Sequence, residues 1–423
     1  MKSVLNPIHV VFSLLLGALV GAGAAEGKTW VVQLDGEGDA PTIQAAMDAA
    51  DVGDTVQVLA GRFFENIDFG GKDLVVRGSG WDQTIIDGSR AGSCVRFWNG
   101  ETRAAVLEGF QVTGGEFGAG GGVTIREAGP TIRNNQIVGN TSRVEDRSGF
   151  GGGVSAYSEH DHSPLIEDNH IGGNQSGLMG GGVWVSGACN AVIRGNRIEL
   201  NRCWRGDGGG VAQLSFGWPA HVVIEDNLVR WNRAGDHGGG IYAGGLRSTF
   251  EITSNLVVLN EANAVGTTGE SGGGVWVGGE GGTVRHNTLV LNRGSNVATG
   301  GGLAVASGTP IIEANIVAHS RIGGGIRCVR GGEPLVRNNL FWNPRGEEDQ
   351  GCEVDWESQG NLVADPLFCD LDSEVYTLAQ NSPALLHPAG PLGVFPTPGC
   401  SPVQVIATTW GRLKAQYGLP GRP

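Results

Sequence analysis

Three groups of residues in this 423-residue chain have the types and spacing to do chemistry. The first is spread over three turns, each just ahead of a glycine cluster: Arg205 with Asp207, Asp236 with His237, and Glu270. If consecutive turns stack, the carboxylates converge and could hold Ca²⁺ or share a proton. Asp207, Asp236, His237 and Glu270 are therefore candidates for catalysis, and Arg205 for ligand binding. The plain alternative is that polar residues occupy exposed turns. The second group is aromatic. Trp184, Tyr242 and Trp276 each follow the Val or Ile after a glycine cluster, and Ala212 holds the equivalent place between them. Flanked by inward residues, they should point outward, where aromatic rings stack on the apolar face of a sugar. Packing against loops is the competing explanation. The third group, Ser158-Glu159-His160-Asp161-His162, reads as an inserted loop with two imidazoles and two carboxylates. It could bind a transition metal or supply a general base, or be a solvated loop.

The elements that must position these residues repeat. From about Gly120 to Asn343 a glycine cluster, an apolar residue, a polar turn, a short apolar run and an Asn-x-x-x-x-Asn ending recur eight times, with starts 23 to 34 residues apart. A period of this size signals a solenoid whose units bury their apolar faces only by stacking. With two or three short strands per unit and no helical period, the units can close only as parallel β-coils. Val123 and Ile125, Val183 and Val185, and Val275 and Val277 alternate at a spacing of two, so one set faces inward. Ile137, Ile171, Ile198, Leu228, Leu256, Leu289, Ile316 and Leu340 occupy matching places in the second apolar run. About ten to twelve coils at ~4.8 Å each make a rod on the order of 50 Å long.

Two further columns are structural. Asn135, Asn169, Asn196, Asn227, Asn255, Asn287, Asn315 and Asn339 suit a tight turn, since Asn tolerates left-handed backbone and its amide bonds along a stack. Two residues earlier stand Arg133, Glu167, Arg194, Glu225, Thr253, Arg285, Glu313 and Arg337. Opposite signs on adjacent coils predict an exposed salt-bridge ladder, which fixes register more than it stabilises.

The ends differ from the middle. Lys2, the apolar run Val10 to Val20 and Ala22-Gly23-Ala24 read as a signal peptide over 1–25. Lys28-Thr29-Trp30-Val31-Val32 predicts a strand, and residues 41–50 a short amphipathic helix capped by Thr42 or Asp39 and ended by Gly53. Thr42-Ile43-Gln44-Ala45-Ala46 leading to Gly53-Asp54-Thr55-Val56 resembles the N-terminal cap and first coil of right-handed parallel β-helix proteins of the pectate-lyase-like superfamily. The Gly-Gly-Gly and Pro-x-Ile-x-x-Asn units resemble the repeats of secreted bacterial members. Asn361–Phe368 and Asn381–Ala384 resemble their closing segment. The resemblance spans roughly 28–395. It implies an all-β right-handed parallel β-helix with a short N-terminal capping helix, in a superfamily of lyases, hydrolases, esterases, epimerases and non-enzymatic adhesins. The expected organisation is a cap and first coils over 28–119, regular repeats over 120–343, C-terminal coils and closing segment over 344–400, and a tail over 401–423 with a short helix at 408–417.

Composition narrows the partners. A net charge of −14 with only four lysines argues against nucleic acid or an anionic membrane, and no second transmembrane candidate follows the signal. Seven cysteines without a Cys-x-x-Cys pair argue against zinc or thioredoxin-like sites. Cys328, Cys352, Cys369 and Cys400 are placed to staple the C-terminal quarter, with Cys94 the expected free thiol. The catalytic patterns of polygalacturonases and alginate epimerases, and the nonapeptide calcium repeat, are incomplete or absent. The expectation is an exported monomer that binds polysaccharide on an outer sheet face. The alternatives are a polysaccharide lyase or glycoside hydrolase, Ca²⁺-assisted in one version, and a non-enzymatic adhesion rod.

Overall fold

The structure is a computed structural model that describes residues 27–402 except 144, 146–147, 264–270, 330 and 345. The signal peptide, the tail helix and Glu270 lie outside the described residues. A representative coil runs through the strands Val183–Cys189, Val192–Arg194, Arg197–Glu199 and Arg202–Cys203. Each strand pairs in parallel with its counterpart one coil on: Val183 with Val211, Ile193 with Ile224, Ile198 with Val229 and Arg202 with Arg233. Repetition gives an all-β parallel solenoid of about 11 turns. The first sheet takes two strand segments from each coil, the second takes one, and the short third sheet takes the last.

Alternation within each strand puts one side chain set inside. Val183, Val185, Ile193 and Ile198 sit at 0–1% exposure in one continuous core running the length of the rod. In the second sheet the inward column is Ile137, Ile171, Ile198, Val229, Val257, Leu289, Val317 and Phe341. This corrects the sequence expectation at four coils, where Leu228, Leu256, Ile316 and Leu340 stand one residue earlier and face out. They are apolar because Phe368, Tyr376, Leu378 and Leu392 of the C-terminal segment pack over that face. The helix Ile43–Ala49 covers the first coil. Thr42 caps it, the Glu65 carboxylate accepts from the Ile43 and Gln44 amides at 3.0 Å, and Ile43, Ala46 and Met47 enter the core. At the far end Trp356 meets Phe341 edge-on at 5.4 Å.

The asparagines form a continuous buried ladder. The Asn196 backbone amide donates to Asn227 Oδ1 at 2.9 Å, and Asn196 Nδ2 donates to the same oxygen at 3.0 Å and to Ile166 O at 2.8 Å. A second ladder through Asn140, Asn174, Asn201, Asn232, Asn260 and Asn292 repeats the pattern at the next corner. The left-handed residue is not the asparagine, as expected from sequence, but its predecessor: Asp168 (φ 54°), Asp226 (55°) and His286 (54°).

The charge column is in register as expected, with Arg194 beside both Glu167 and Glu225, and it extends upstream to Arg77 and Glu108. Glu313 bridges Arg285 at 2.6 Å and Arg337 at 3.0 Å. Burial alone would raise the Glu108 and Glu313 carboxyls, but hydrogen bonds and charge from the flanking arginines outweigh it and hold both below the ordinary glutamate value. A depressed folded-state value means stability that is present above the unfolded value of about 4.3 and is lost as pH falls through the folded one. Glu313→Gln is therefore expected to flatten the loss of denaturation midpoint below pH ~4.3, by less than about 1 kcal/mol.

Cys328–Cys352 and Cys369–Cys400 are disulfides, and Cys94, Cys189 and Cys203 are free and buried. The four C-terminal cysteines and Cys94 thus stand as expected, with two further free thiols. Among the described residues no helix is long and apolar enough to cross a membrane.

Candidate functional site

The outward column of the first sheet reads Thr124, Ser155, Trp184, Ala212, Tyr242, Trp276, Ala304 and Arg327. The turn ahead of it forms its own column, because Phe150, Met179 and Asp207 bridge in parallel and Gly208 N donates to His237 O at 2.9 Å. Asp207 and His237 are therefore brought together by coil stacking, 30 residues apart in sequence.

Asp207 fixes His237 in two ways. One carboxylate oxygen accepts from the His237 backbone amide and faces ring Nδ1, each at 2.9 Å. The other ring nitrogen, Nε2, lies 3.5 Å from Asp236 Oδ1. The imidazole is 14% exposed, and its ring centre is 5.9 Å from that of Trp276. An imidazole oriented through Nδ1 by a carboxylate can act as a base at Nε2, but here Nε2 is buried beside Asp236 and closed to solvent. One ligand atom from each of Asp207, Asp236 and His237 lies within 4.8 Å of the others. Two carboxylates and an imidazole suit a first-row transition ion better than Ca²⁺, which takes six to eight oxygens. Since Asp207 Oδ1 already faces Nδ1, it fits an orienting role for the ring better than a ligand role. Arg205 is exposed on the same turn, whereas Glu270 is outside the described residues.

The aromatic column points outward as expected, but its rings are not open platforms. Tyr242 and Trp276 stack at 4.2 Å and 6°, and each is only 8% exposed. With Met179, Ala212, Ala304 and Ala306 they form an apolar cluster outside the coil core. Trp184 is half-buried between Phe150, at 4.7 Å, and Tyr157, at 6.4 Å. Trp276 lies along the sheet over Gly244 and Gly278, where a Cβ would stand 3.0 and 2.8 Å from its ring. The indole Nε1 atoms of Trp184 and Trp276 are buried without a hydrogen bond, a cost of about 1–3 kcal/mol each.

Sequence reasoning missed the residues that do expose apolar surface on this face. The strands Val211–Glu225 and Ile241–Thr253 run well past their neighbours. Alternation carries the outward face from Ala212 through Leu214 to Phe216, and from Tyr242 through Gly244 to Leu246, with Phe216 and Leu246 in register. Phe216 is 69% exposed and Leu246 65%, and Trp218 follows just beyond. The available signal was Leu214-Ser215-Phe216-Gly217-Trp218-Pro219, apolar residues where the repeat should turn polar.

The stretch around His160 is a strand, Val154–His162, and not a loop. Glu127 anchors it: Oε2 accepts from Ser158 Oγ at 2.9 Å and faces His160 Nδ1 at 2.8 Å. This hydrogen bond, together with the Glu127 charge, raises the His160 value above the ordinary one. Ser158 Oγ also contacts His162 Nδ1 at 2.9 Å. The constellation is a set of ties between strands.

Comparison with known proteins agrees with this architecture. A family described as "Right handed beta helix region" matches residues 79–257. A curated protein of Arabidopsis thaliana, "Probable pectinesterase/pectinesterase inhibitor 17", is 29% identical over 184 residues, 40% of this chain. The chain spans about a third of that relative's length (33%). With parallel coils in register from Thr29 to Val363 and this match to the repeat region, the chain is a right-handed parallel β-helix protein.

Proposed function

We propose that this is an exported, carbohydrate-directed protein that binds polysaccharide across the outward face of its first sheet. The observation that carries the reading is the gathering, on one face, of a fixed imidazole, two carboxylates and aromatic surface. Asp207 and His237 stand beside Trp276 at one margin, and the face continues to the exposed Phe216 and Leu246 at the other. Such a face offers apolar contact for sugar rings and hydrogen bonds for their hydroxyls. The likeness to a protein named as a pectinesterase supports a polysaccharide as the ligand. The low lysine count argues for such a partner over nucleic acid.

The Asp207–His237 pair favours a second reading, hydrolysis of a bond in the bound polymer. In it Asp207, a positioning residue, holds the ring, and His237 takes a proton from water through Nε2 once the bound polymer has moved Asp236 aside and uncovered that buried atom. The same experiment addresses both readings: binding of a panel of plant and bacterial polysaccharides, followed by assay for released acid or reducing ends. Phe216→Ala with Trp218→Ala removes exposed rings at little cost to folding and is expected to weaken binding about tenfold, taking the two ring contacts together as worth ~1.4 kcal/mol. Undiminished binding would remove this face from the function. Release of acid, or of reducing ends without unsaturated ends, abolished by His237→Gln would establish hydrolysis; a protein that binds but releases nothing is a binding protein.

A further inference from the structure

The third sheet carries an arrangement absent from the charge ladder of the first. Its outward column reads Thr141, Gln175, Arg202, Arg233, Glu261 and Arg293 from coil to coil. On the charge ladder of the first sheet no residue faces a like charge, yet here two arginines are paired in register, their backbones one strand spacing, ~4.8 Å, apart. Like charges placed directly opposite one another destabilise a sheet. The nearest acid does not resolve this. Glu261 holds Arg293 at 2.9 Å and lies 3.6 Å from Arg233. Asn263, in the amide orientation that satisfies its hydrogen bonds, also accepts from Arg233 Nη2 at 2.8 Å and Nε at 2.5 Å, which takes one edge of that guanidinium and leaves Nη1. Among the described residues no carboxylate pairs with Arg202.

Arg202 is nonetheless held in place. Its guanidinium carbon is 3.3 Å from the centre of the Trp204 ring, and Trp204 Nε1 donates to Gln175 Oε1 at 3.0 Å. The indole is thereby fixed while 39% exposed. Burial and the neighbouring Arg233 charge both press the Arg202 value down, as befits a cation short of counter-charge. The Arg202 fork, with the remaining Nη1 of Arg233 and an aromatic plate beside it, matches an oxyanion carried on a ring.

We infer that Arg202 and Arg233 form an oxyanion site that takes the carboxylate or sulfate group of an acidic sugar, with the sugar ring against Trp204. The sugar part rests on the carbohydrate-directed reading above; the oxyanion part does not. In a chain of net charge −14 the site supplies selectivity for where the charged group sits, since long-range attraction is absent.

The test uses the full chain. Thermal stability is measured in sodium sulfate against sodium chloride at matched ionic strength, and titration calorimetry is run with polygalacturonate, dextran sulfate and neutral dextran. Sulfate is expected to raise Tm beyond chloride by more in the parent than in Arg202→Gln, the general stabilising action of sulfate being common to both, and one or both polyanions to bind at least tenfold more tightly than dextran. Arg202→Gln and Arg233→Gln should each lower polyanion affinity about tenfold. Trp204→Ala should weaken polyanion binding and leave the sulfate effect on Tm intact. In chloride, Arg202→Gln should melt no lower than the parent, because it removes a like-charge neighbour. Full polyanion binding by Arg202→Gln overturns the site, as does a fall in its Tm in chloride, which a purely structural arginine would show. A sulfate effect with no polyanion binding overturns the sugar assignment. Loss of binding in the Phe216→Ala/Trp218→Ala variant with Arg202→Gln unaffected would uphold the first-sheet face and overturn this one.

Discussion

Asn227→Leu is expected to lower the stability of the rod by ~2–6 kcal/mol, though it keeps the number and branching of side-chain heavy atoms and touches no candidate ligand residue. Asn227 Oδ1 accepts from the Asn196 backbone amide and from Asn196 Nδ2, while Asn227 Nδ2 donates to Ile193 O at 2.9 Å and to Asn255 Oδ1 at 2.9 Å. Leucine leaves the Asn196 N–H and the Ile193 carbonyl without these partners in a turn that is 1–2% exposed, while Asn196 Nδ2 keeps Ile166 O and Arg194 O. A buried orphan costs ~1–3 kcal/mol, and two of them act at one place. Glu225→Gln, on the exposed ladder two residues away, should cost no more than about 1 kcal/mol. Equilibrium denaturation compares the two. Equal effects would mean that the asparagines add nothing beyond turn formation.

Gly209→Ala is expected to cost ~3 kcal/mol or more, for a different reason. Gly209 has an ordinary negative φ, so the backbone would accept alanine. A Cβ there would lie closer than 3.0 Å to Gly239 O and to the Arg233 carbonyl carbon, both backbone atoms of the next coil. The same crowding recurs at Gly181, Gly239 and Gly273. Backbone cannot yield as a flexible side chain can, so the overpacking penalty stands at its upper end. Gly173→Ala is the contrast: it has φ of +62° and nothing within 4 Å of a Cβ, so its cost should be about 1 kcal/mol of backbone strain alone. Thermal melts of the two variants separate spatial from conformational demand, and a Gly209 variant that melts with the parent would show that the glycine clusters are not there for close approach.

These two residues show what a single sequence could convey. The glycine clusters and asparagine columns announce a solenoid because their period is fixed, and the alternating Arg and Glu column gives its register. The second-sheet register was misread where both neighbours are apolar, as in Leu228-Val229 and Leu340-Phe341. The outward leucines look inward until Phe368, Tyr376 and Leu378, distant in sequence, are seen to cover them. Direction was likewise legible at Tyr242 and Trp276 and exposure was not, because one ring buries the other across a coil boundary. The meeting of Asp207 with His237 followed from expecting turns to stack. The prominence of Phe216 and Leu246 did not, because it depends on two strands outgrowing the repeat. The Arg202–Arg233 pair was overlooked for a simpler reason: the third-sheet strands are two residues long and give no pattern of their own.

The binding face itself is tested most directly by a crystal structure of the full chain with an oligosaccharide cut from whichever polysaccharide it retains. The expected result is a saccharide lying on the outward side of the first sheet, with rings against Phe216 and Trp218 and a hydroxyl or carboxylate turned toward His237. A saccharide bound on the outward face of the second sheet, with the first sheet bare, would contradict the assignment.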